Sequence, residues 1–217
     1  MKNKQDSIKP VSRHRDKQKA GTRDLILLSA LNLFEKLGFK KTTMRAVAAE
    51  AEMGYGTIFK HFSNKSDLLA ACMYEAIEKT LTEAFNTLPS EIPFQNKFLY
   101  IIEKLIKHYA ERPNLSKTFI ENIFEIEGNW KRIMDSQIEQ FLLKLEGIIQ
   151  NAKNRGEIKQ EVDNGLLSLS LFSSYLSMLT LSLRAKTFDP EETIKRIDLL
   201  INLNLKGALI DHGWASR

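Results

Sequence analysis

Tyr55, Thr57, Lys60 and His61 lie in a seven-residue stretch, Tyr55 to His61, that contains no acidic residue. Their side chains can donate hydrogen bonds, stack on a flat partner or carry positive charge. An outward face of that kind, free of carboxylates, suits a helix that lies against phosphates and base edges. Ile58, Phe59 and Phe62 fall between them and are expected to form the buried side of the same short helix. Arg45 stands ten residues upstream, in the first turn of a separate helical segment.

Those side chains need elements to hold them. Val47, Ala48 and Ala51 put small apolar residues on one face of a preceding helix, and Glu52-Met53-Gly54 interrupts the pattern for the roughly 3–4 residues of a helix-turn-helix turn. Thr43 is the expected N-cap of that preceding helix, with Thr42 as the alternative. Alanine stands at position 46, where a capping box would place a carboxylate. A first helix is expected from Arg23 to Leu37 with Thr22 as its cap; Ile26, Leu27, Ala30, Leu31, Phe34 and Leu37 form its stripe and Gly38 its left-handed end. A fourth begins at Asn64-Lys65-Ser66-Asp67, a cap followed three residues later by an acid.

Composition sets the limits. The 217 residues are 43% hydrophobic, ample for one large or two modest cores, and alternating strand patterns are almost absent, so the expected class is all-α. No apolar run is expected to reach the roughly 18 residues of a membrane span. The single cysteine, Cys72, sits on an apolar stripe and reads as a buried structural thiol, which fits a reducing cytoplasm. Lys2, Lys4, Lys9, Arg13, Arg15, Lys17, Lys19 and Arg23 face only Asp6 and Asp16 within the first 23 residues, whereas the whole chain carries +5. Residues 1–21 therefore read as a disordered basic arm, either a solvated tail or an adjunct to nucleic-acid binding. His14, His61, His108 and His212 are far apart and no Cys/His spacing assembles a metal site, so neither metal nor cofactor is expected. Without a nucleophile–base pairing or a phosphate loop, the expectation is not an enzyme.

Five further helical segments follow Leu88-Pro89. One near Phe94–Ala110 stops at Arg112-Pro113, one starts at Asn114, a long one at Trp130, and one spans about Asp163–Lys186, apolar or small almost all round. The last has the clearest start, with Asp189 as N-cap, Pro190 at N1, and Glu191-Glu192 in the first turn; its apolar positions run to Ala208 and Leu209.

The block F-x-x-x-G (Phe34 to Gly38), T-T-x-R (Thr42 to Arg45) and G-T-I-F-x-H-F-x-x-K (Gly56 to Lys65) resembles the tetracycline-repressor (TetR) family of bacterial regulators over about residues 22–73. The resemblance implies a DNA-binding domain over 22–66 and an effector-binding and dimerisation domain over 67–217. It implies about nine helices and a homodimer joined through its last two. On that resemblance Arg23, Thr43 and Arg45 approach the DNA, Tyr55, Gly56, Thr57, Lys60 and His61 lie in or beside the major groove, and Lys65 meets a phosphate. Three positions depart from the family pattern: Glu52 replaces a turn glycine, Phe59 a phosphate-binding tyrosine, and Gly54 a capping serine.

Tyr100, His108, Phe119, Asn122, Phe124, Trp130, Met134, Phe141, Phe172, Tyr175 and Met178 are candidates for a cavity in the second domain, with His108, Asn122 and Tyr175 as its polar groups. The resulting expectation is a sequence-specific regulator of double-stranded operator DNA, a repressor released from a palindromic site by a small, largely apolar effector. The alternative is a helical ligand- or protein-binding module with nonspecific nucleic-acid binding.

Overall fold

The computed structural model describes residues 11–206, with side chains from Gly21 onward. The basic residues before Val11, and Ala208, Leu209 and His212, lie outside them. The described residues form nine α-helices and a short 3-10 turn, with no strand, and the chain divides into two compact units after Cys72.

The first unit opens on α1 (Val11–Leu37), twelve residues earlier than the Arg23 start that a Thr22 cap implies. Much of the stretch expected to be a disordered arm is therefore helical. Arg, Lys, Gln and Ala are strong helix formers, and no proline stands between Pro10 and Pro89, so Gly21 and Thr22 are carried inside the helix. Helix α1 ends as expected: Gly38 takes φ 79° and its N–H donates to Phe34 O at 3.0 Å. Thr42, buried, donates from Oγ1 to Leu33 O (3.1 Å) and Gly38 O (2.9 Å), closing that end. Thr43 then caps α2 (Met44–Glu50), its Oγ1 accepting from Ala46 N at 3.1 Å.

Helix α3 (Tyr55–His61) follows a turn in which Glu52 has φ 53°. Helix α4 (Lys65–Asn86) starts where Asn64 Oδ1 accepts from Asp67 N at 2.8 Å, and it continues past the boundary between the units. Ile26, Ala30, Phe34, Val47, Ile58, Phe62, Leu68 and Leu69 are buried and build the core of the first unit. Cys72 is buried with them, its Sγ 3.7 Å from Leu27 O.

The second unit contains the rest of α4, α5 (Phe94–Glu111), α6 (Pro113–Asn122), the 3-10 turn Ile123–Glu125, α7 (Gly128–Asn154), α8 (Asn164–Arg184) and α9 (Pro190–Leu205). Helix α5 has the sharpest amphipathic division, burying Phe94, Phe98, Ile101, Ile102, Leu105 and Ile106 along one side. It packs on α6, α7 and α9, while α8 packs on α6, α7 and α9. Asp163 and Asp189 cap α8 and α9, accepting from Leu166 N (2.8 Å) and Glu192 N (3.0 Å). Lys153, buried on α7, directs its ammonium to the carbonyls of Gln160 and Val162, tying down the α7–α8 connection.

Helix α8 corrects one expectation. Over its 21 residues an 18-residue window reaches a mean hydropathy of 1.6, enough by length and composition to cross a membrane. Serines at 168, 170, 173, 174 and 177 break every uninterrupted apolar run, yet they lower the average too little to exclude the segment. In this fold α8 buries Leu167, Leu171, Tyr175, Leu179 and Leu183 against its neighbours and leaves Leu166, Leu169 and Leu181 exposed.

Candidate functional site

The helix-turn-helix presents one continuous polar and aromatic face. Ile58 on α3 and Phe62 at its C-terminal cap point inward, and Thr57 is half-buried. Tyr55, Gly56 and Lys60 are exposed, and His61 is half-buried beside Phe62, with ring centroids 6.4 Å apart.

Phe59 is the correction. Expected in the core, it is 42% exposed and sits edge-on to Tyr55, with centroids 4.7 Å apart. A helix turns about 100° per residue, so Ile58 and Phe59 cannot share the inward direction, and Phe59 stacks on the residue one turn back. Arg45, from the first turn of α2, lies 5.5 Å from the Tyr55 ring centroid. Arg45, Tyr55 and Phe59 thus form an exposed cation–aromatic cluster beside Lys60. Arg23 stands over the Phe62 ring at 5.5 Å. Thr43 already uses its hydroxyl oxygen on Ala46 N, which leaves the O–H proton for another partner.

Lys65 has a different place from the phosphate position expected of it. Its Nζ donates to Phe39 O (2.6 Å), Thr42 O (3.1 Å) and Lys40 O (3.4 Å), and lies 4.3 Å from the Phe39 ring centroid. Those three carbonyls occupy all three donors of an ammonium. Desolvation by the surrounding loop lowers its pKa from the usual lysine range. The side chain pins the α1–α2 connection to the head of α4.

A cavity of about 90 Å³ lies in the second unit. Of the residues proposed from sequence, Phe119, Met134, Phe141, Phe172 and Tyr175 line it, with Ile77, Leu81, Leu105, Ile120, Ile123, Ile138 and Leu176. The others have different surroundings. Tyr100 exchanges a hydrogen bond with Thr87 (2.9 Å), Asn122 Nδ2 donates to Thr118 O (2.7 Å), and Trp130 stands edgewise to Tyr74 with centroids 6.1 Å apart. Met178 lines a separate surface depression near the α8–α9 connection. His108 lies beside Glu111, Nδ1 to Oε2 3.7 Å, and burial lowers its pKa.

The cavity's polar groups are Tyr109, Gln137 and Tyr175, and two of them escaped sequence reasoning. Tyr109 lies among the buried residues of α5, where nothing in the chain marks it off from plain core, and Gln137 interrupts the apolar stripe of α7. The hydroxyls of Tyr109 and Tyr175 interact with each other. Burial pushes Tyr109 up to about 12 and Tyr175 well above the ordinary tyrosine value, so both stay neutral near pH 7. Gln137 Nε2 donates to Tyr74 O (3.2 Å) and Glu78 Oε2 (3.0 Å).

Known proteins share the fold. Residues 26–72 match the family model described as bacterial regulatory proteins, tetR family. The uncharacterized HTH-type transcriptional regulator YhgD of Bacillus subtilis is 25% identical over 155 residues, covering 71% of this chain and 81% of its own. The fatty acid metabolism regulator protein of the same organism is 22% identical over 158 residues, covering 73% and 81%. Among solved structures, Thermus thermophilus FadR, a TetR family transcriptional repressor in complex with lauroyl-CoA, superposes with a TM-score of 0.70 at 16% identity, over 90% of this chain and 99% of that one. The matched segment is the same α1–α4 head whose turn, caps and outward face are described above, and over residues 26–72 the chain carries the segment that the tetR-family model of bacterial regulatory proteins describes.

Proposed function

We propose that the protein is a homodimeric, cytoplasmic repressor that binds a near-palindromic operator through α3 and leaves it when a small, largely apolar molecule occupies the second unit. The observation that carries the reading is the exposed, acid-free face of Tyr55, Gly56 and Lys60, with half-buried Thr57 between them and Arg45 and Phe59 beside it. Lys60 is the direct contact to a base edge or phosphate, and Tyr55 and Phe59 offer apolar surface to thymine methyls or sugars. Thr43, Arg23 and His61 contribute around the rim, and Lys65 acts by holding the turn rather than by touching phosphate. Two such helices in a dimer enter successive major grooves about 34 Å apart.

Dimerisation through α8 and α9 is supported by what those helices leave uncovered. Leu166, Leu169 and Leu181 on α8 and Leu199 and Leu203 on α9 are exposed, an unusual apolar surface for a chain that stays single. Control by a ligand is supported by the cavity and by α4, which supplies Ile77 and Leu81 to its wall and runs without a break from Lys65. An effector that favours one position of α4 shifts operator affinity by its differential binding energy, typically about 1–3 kcal/mol. The reading involves no catalytic step.

The test is selection of duplexes by the purified protein, followed by anisotropy on the selected sequence and a scrambled one across salt. A specific reader keeps its preference at about 0.2 M salt, whereas a nonspecific binder loses both sequences together. Lys60→Ala is expected to weaken the selected duplex at least about fivefold, the loss of one charged contact, with helicity and mass in solution unchanged. An unaltered affinity rejects Lys60 as the reading residue.

A further inference from the structure

The cavity and an adjoining groove differ in where they keep their polar groups. The inner chamber, about 90 Å³, is smaller than the roughly 150 Å³ void that accommodates a benzene-sized guest. It shares Ile120, Ile123, Met134, Ile138 and Leu176 with an outer groove of about 450 Å³ beneath the 3-10 turn. Together they reach the range of small-molecule sites, about 300–1,000 Å³. No acidic or basic side chain lines the inner chamber. In the outer groove the charged side chains, Lys131 and Asp135, are paired with each other at 2.6 Å. Phe124, on the 3-10 turn, lines that groove and is 96% exposed.

The polar inventory of the chamber can be counted. The Tyr109 and Tyr175 hydroxyls interact with each other, and such a pair commits no more than one of its two phenolic protons, which leaves a donor. Gln137 spends its amide nitrogen on Tyr74 and Glu78 and keeps its carbonyl oxygen. The chamber therefore offers one O–H donor and a few acceptors, with no charge of either sign. A carboxylate would be buried there without a cation, and an ammonium without an anion, each at a large desolvation cost. A hydroxyl, which both donates and accepts, matches both halves of the inventory.

We propose that the effector, on the ligand-controlled reading above, is an uncharged amphiphile whose hydroxyl-type head docks at Tyr109, Tyr175 and Gln137 and whose apolar tail lies in the outer groove under Phe124. The head goes inward because the inner chamber holds uncharged hydrogen-bonding groups with capacity to spare, and the tail goes outward because the larger volume is walled mainly by isoleucine, leucine, methionine and Phe124, with Lys131 and Asp135 paired and the Thr180 hydroxyl given to Leu176 O. Burial keeps both phenols protonated, so the chamber does not acquire charge near neutral pH.

Calorimetric titration of the full chain at pH 8 with 1-decanol, decanoate and decyltrimethylammonium, equal in chain length, tests this. Decanol is expected to bind at least about 100-fold more tightly than either ion. The double variant Tyr109→Phe/Tyr175→Phe replaces two interacting phenols with apolar rings of the same shape, so it keeps its unfolding midpoint while decanol binding falls roughly tenfold. Decanoate or the ammonium binding as tightly as decanol overturns the proposal, as does undiminished decanol binding by the double variant, or binding of none of the three. Decanol binding of the expected pattern without any change in operator occupancy upholds the cavity inference and rejects ligand-controlled release. Operator binding by a dimer in which none of the three compounds binds does the reverse, leaving the DNA-binding reading intact and removing this ligand class.

Discussion

Glu52 is the one non-glycine residue among those described with a left-handed φ, at 53°. It sits in the turn between α2 and α3, where its N–H donates to Ala49 O (3.1 Å) and the next N–H to Ala48 O (2.9 Å). That geometry is fixed by the angle at which α3 must leave α2, so the side chain tolerates an awkward backbone. Replacing it with glycine removes the Cβ clash at a cost in unfolded-state entropy. Glu52→Gly is expected to raise unfolding free energy by about 0.5–1 kcal/mol in a denaturant titration. A loss of stability would mean that the carboxylate holds the turn by a contact of its own.

His108 works at the same scale. Burial is the main influence on it and lowers its pKa, with Glu111 opposing and Arg112 adding to the shift. The folded chain thus binds the proton less readily than the unfolded chain, whose histidine titrates near 6.5. The stability that neutral His108 contributes is present above about pH 6.5 and is lost as pH falls from there through the lower folded value. Denaturant titrations of wild type and His108→Gln at pH 7.5 and 5.5 measure it. The wild type should lose more stability over that interval than the variant; equal losses would remove the assignment.

At the scale of elements, Lys65 decides how α1, α2 and α4 are joined. Its ammonium gathers Phe39 O, Lys40 O and Thr42 O, three carbonyls that would otherwise lack partners from the helices around them. Thr42 braces the same connection from the other side through Leu33 O and Gly38 O. Lys65→Met keeps the stem and removes the donors, so it is expected to cost about 1–3 kcal/mol of stability. Operator affinity then drops through disorder of the head, while the slope of affinity against salt stays unchanged. A direct phosphate contact would instead lower that slope by about one unit, so the salt series separates the two roles.

For the whole molecule, the proposed interface rests on the exposed leucines of α8 and α9. Leu199 and Leu203 are 62% and 63% exposed and one helical turn apart. Charges placed there cost little in a single chain and much in a buried four-helix contact. Leu199→Glu/Leu203→Glu is expected to sediment as a monomer with unchanged helicity and to bind the palindromic duplex at least about tenfold more weakly. A dimer of normal mass would place the interface elsewhere.

Much of this was readable before any coordinates. Local rules set the helix ends: Gly38 closing α1, Thr43 opening α2, Asn64 opening α4, and Asp189-Pro190 opening α9 depend on residues within a few positions of each other. The acid-free stretch from Tyr55 to His61 is likewise a property of the chain alone. What needed tertiary structure was direction and partnership. Composition marks Phe59 as apolar, but only the packing of α3 against α2 shows that Ile58 takes the inward direction and Phe59 the outward one. A lysine heading a helix looks the same whether it meets a phosphate or three carbonyls, and those carbonyls come from residues more than twenty positions away. The polar centre of the cavity joins Tyr109 of α5, Gln137 of α7 and Tyr175 of α8, which no single helical period relates. Periodicity reports which side of a helix is apolar; which apolar side meets which, and what polar atoms that meeting traps, is settled only when the helices pack.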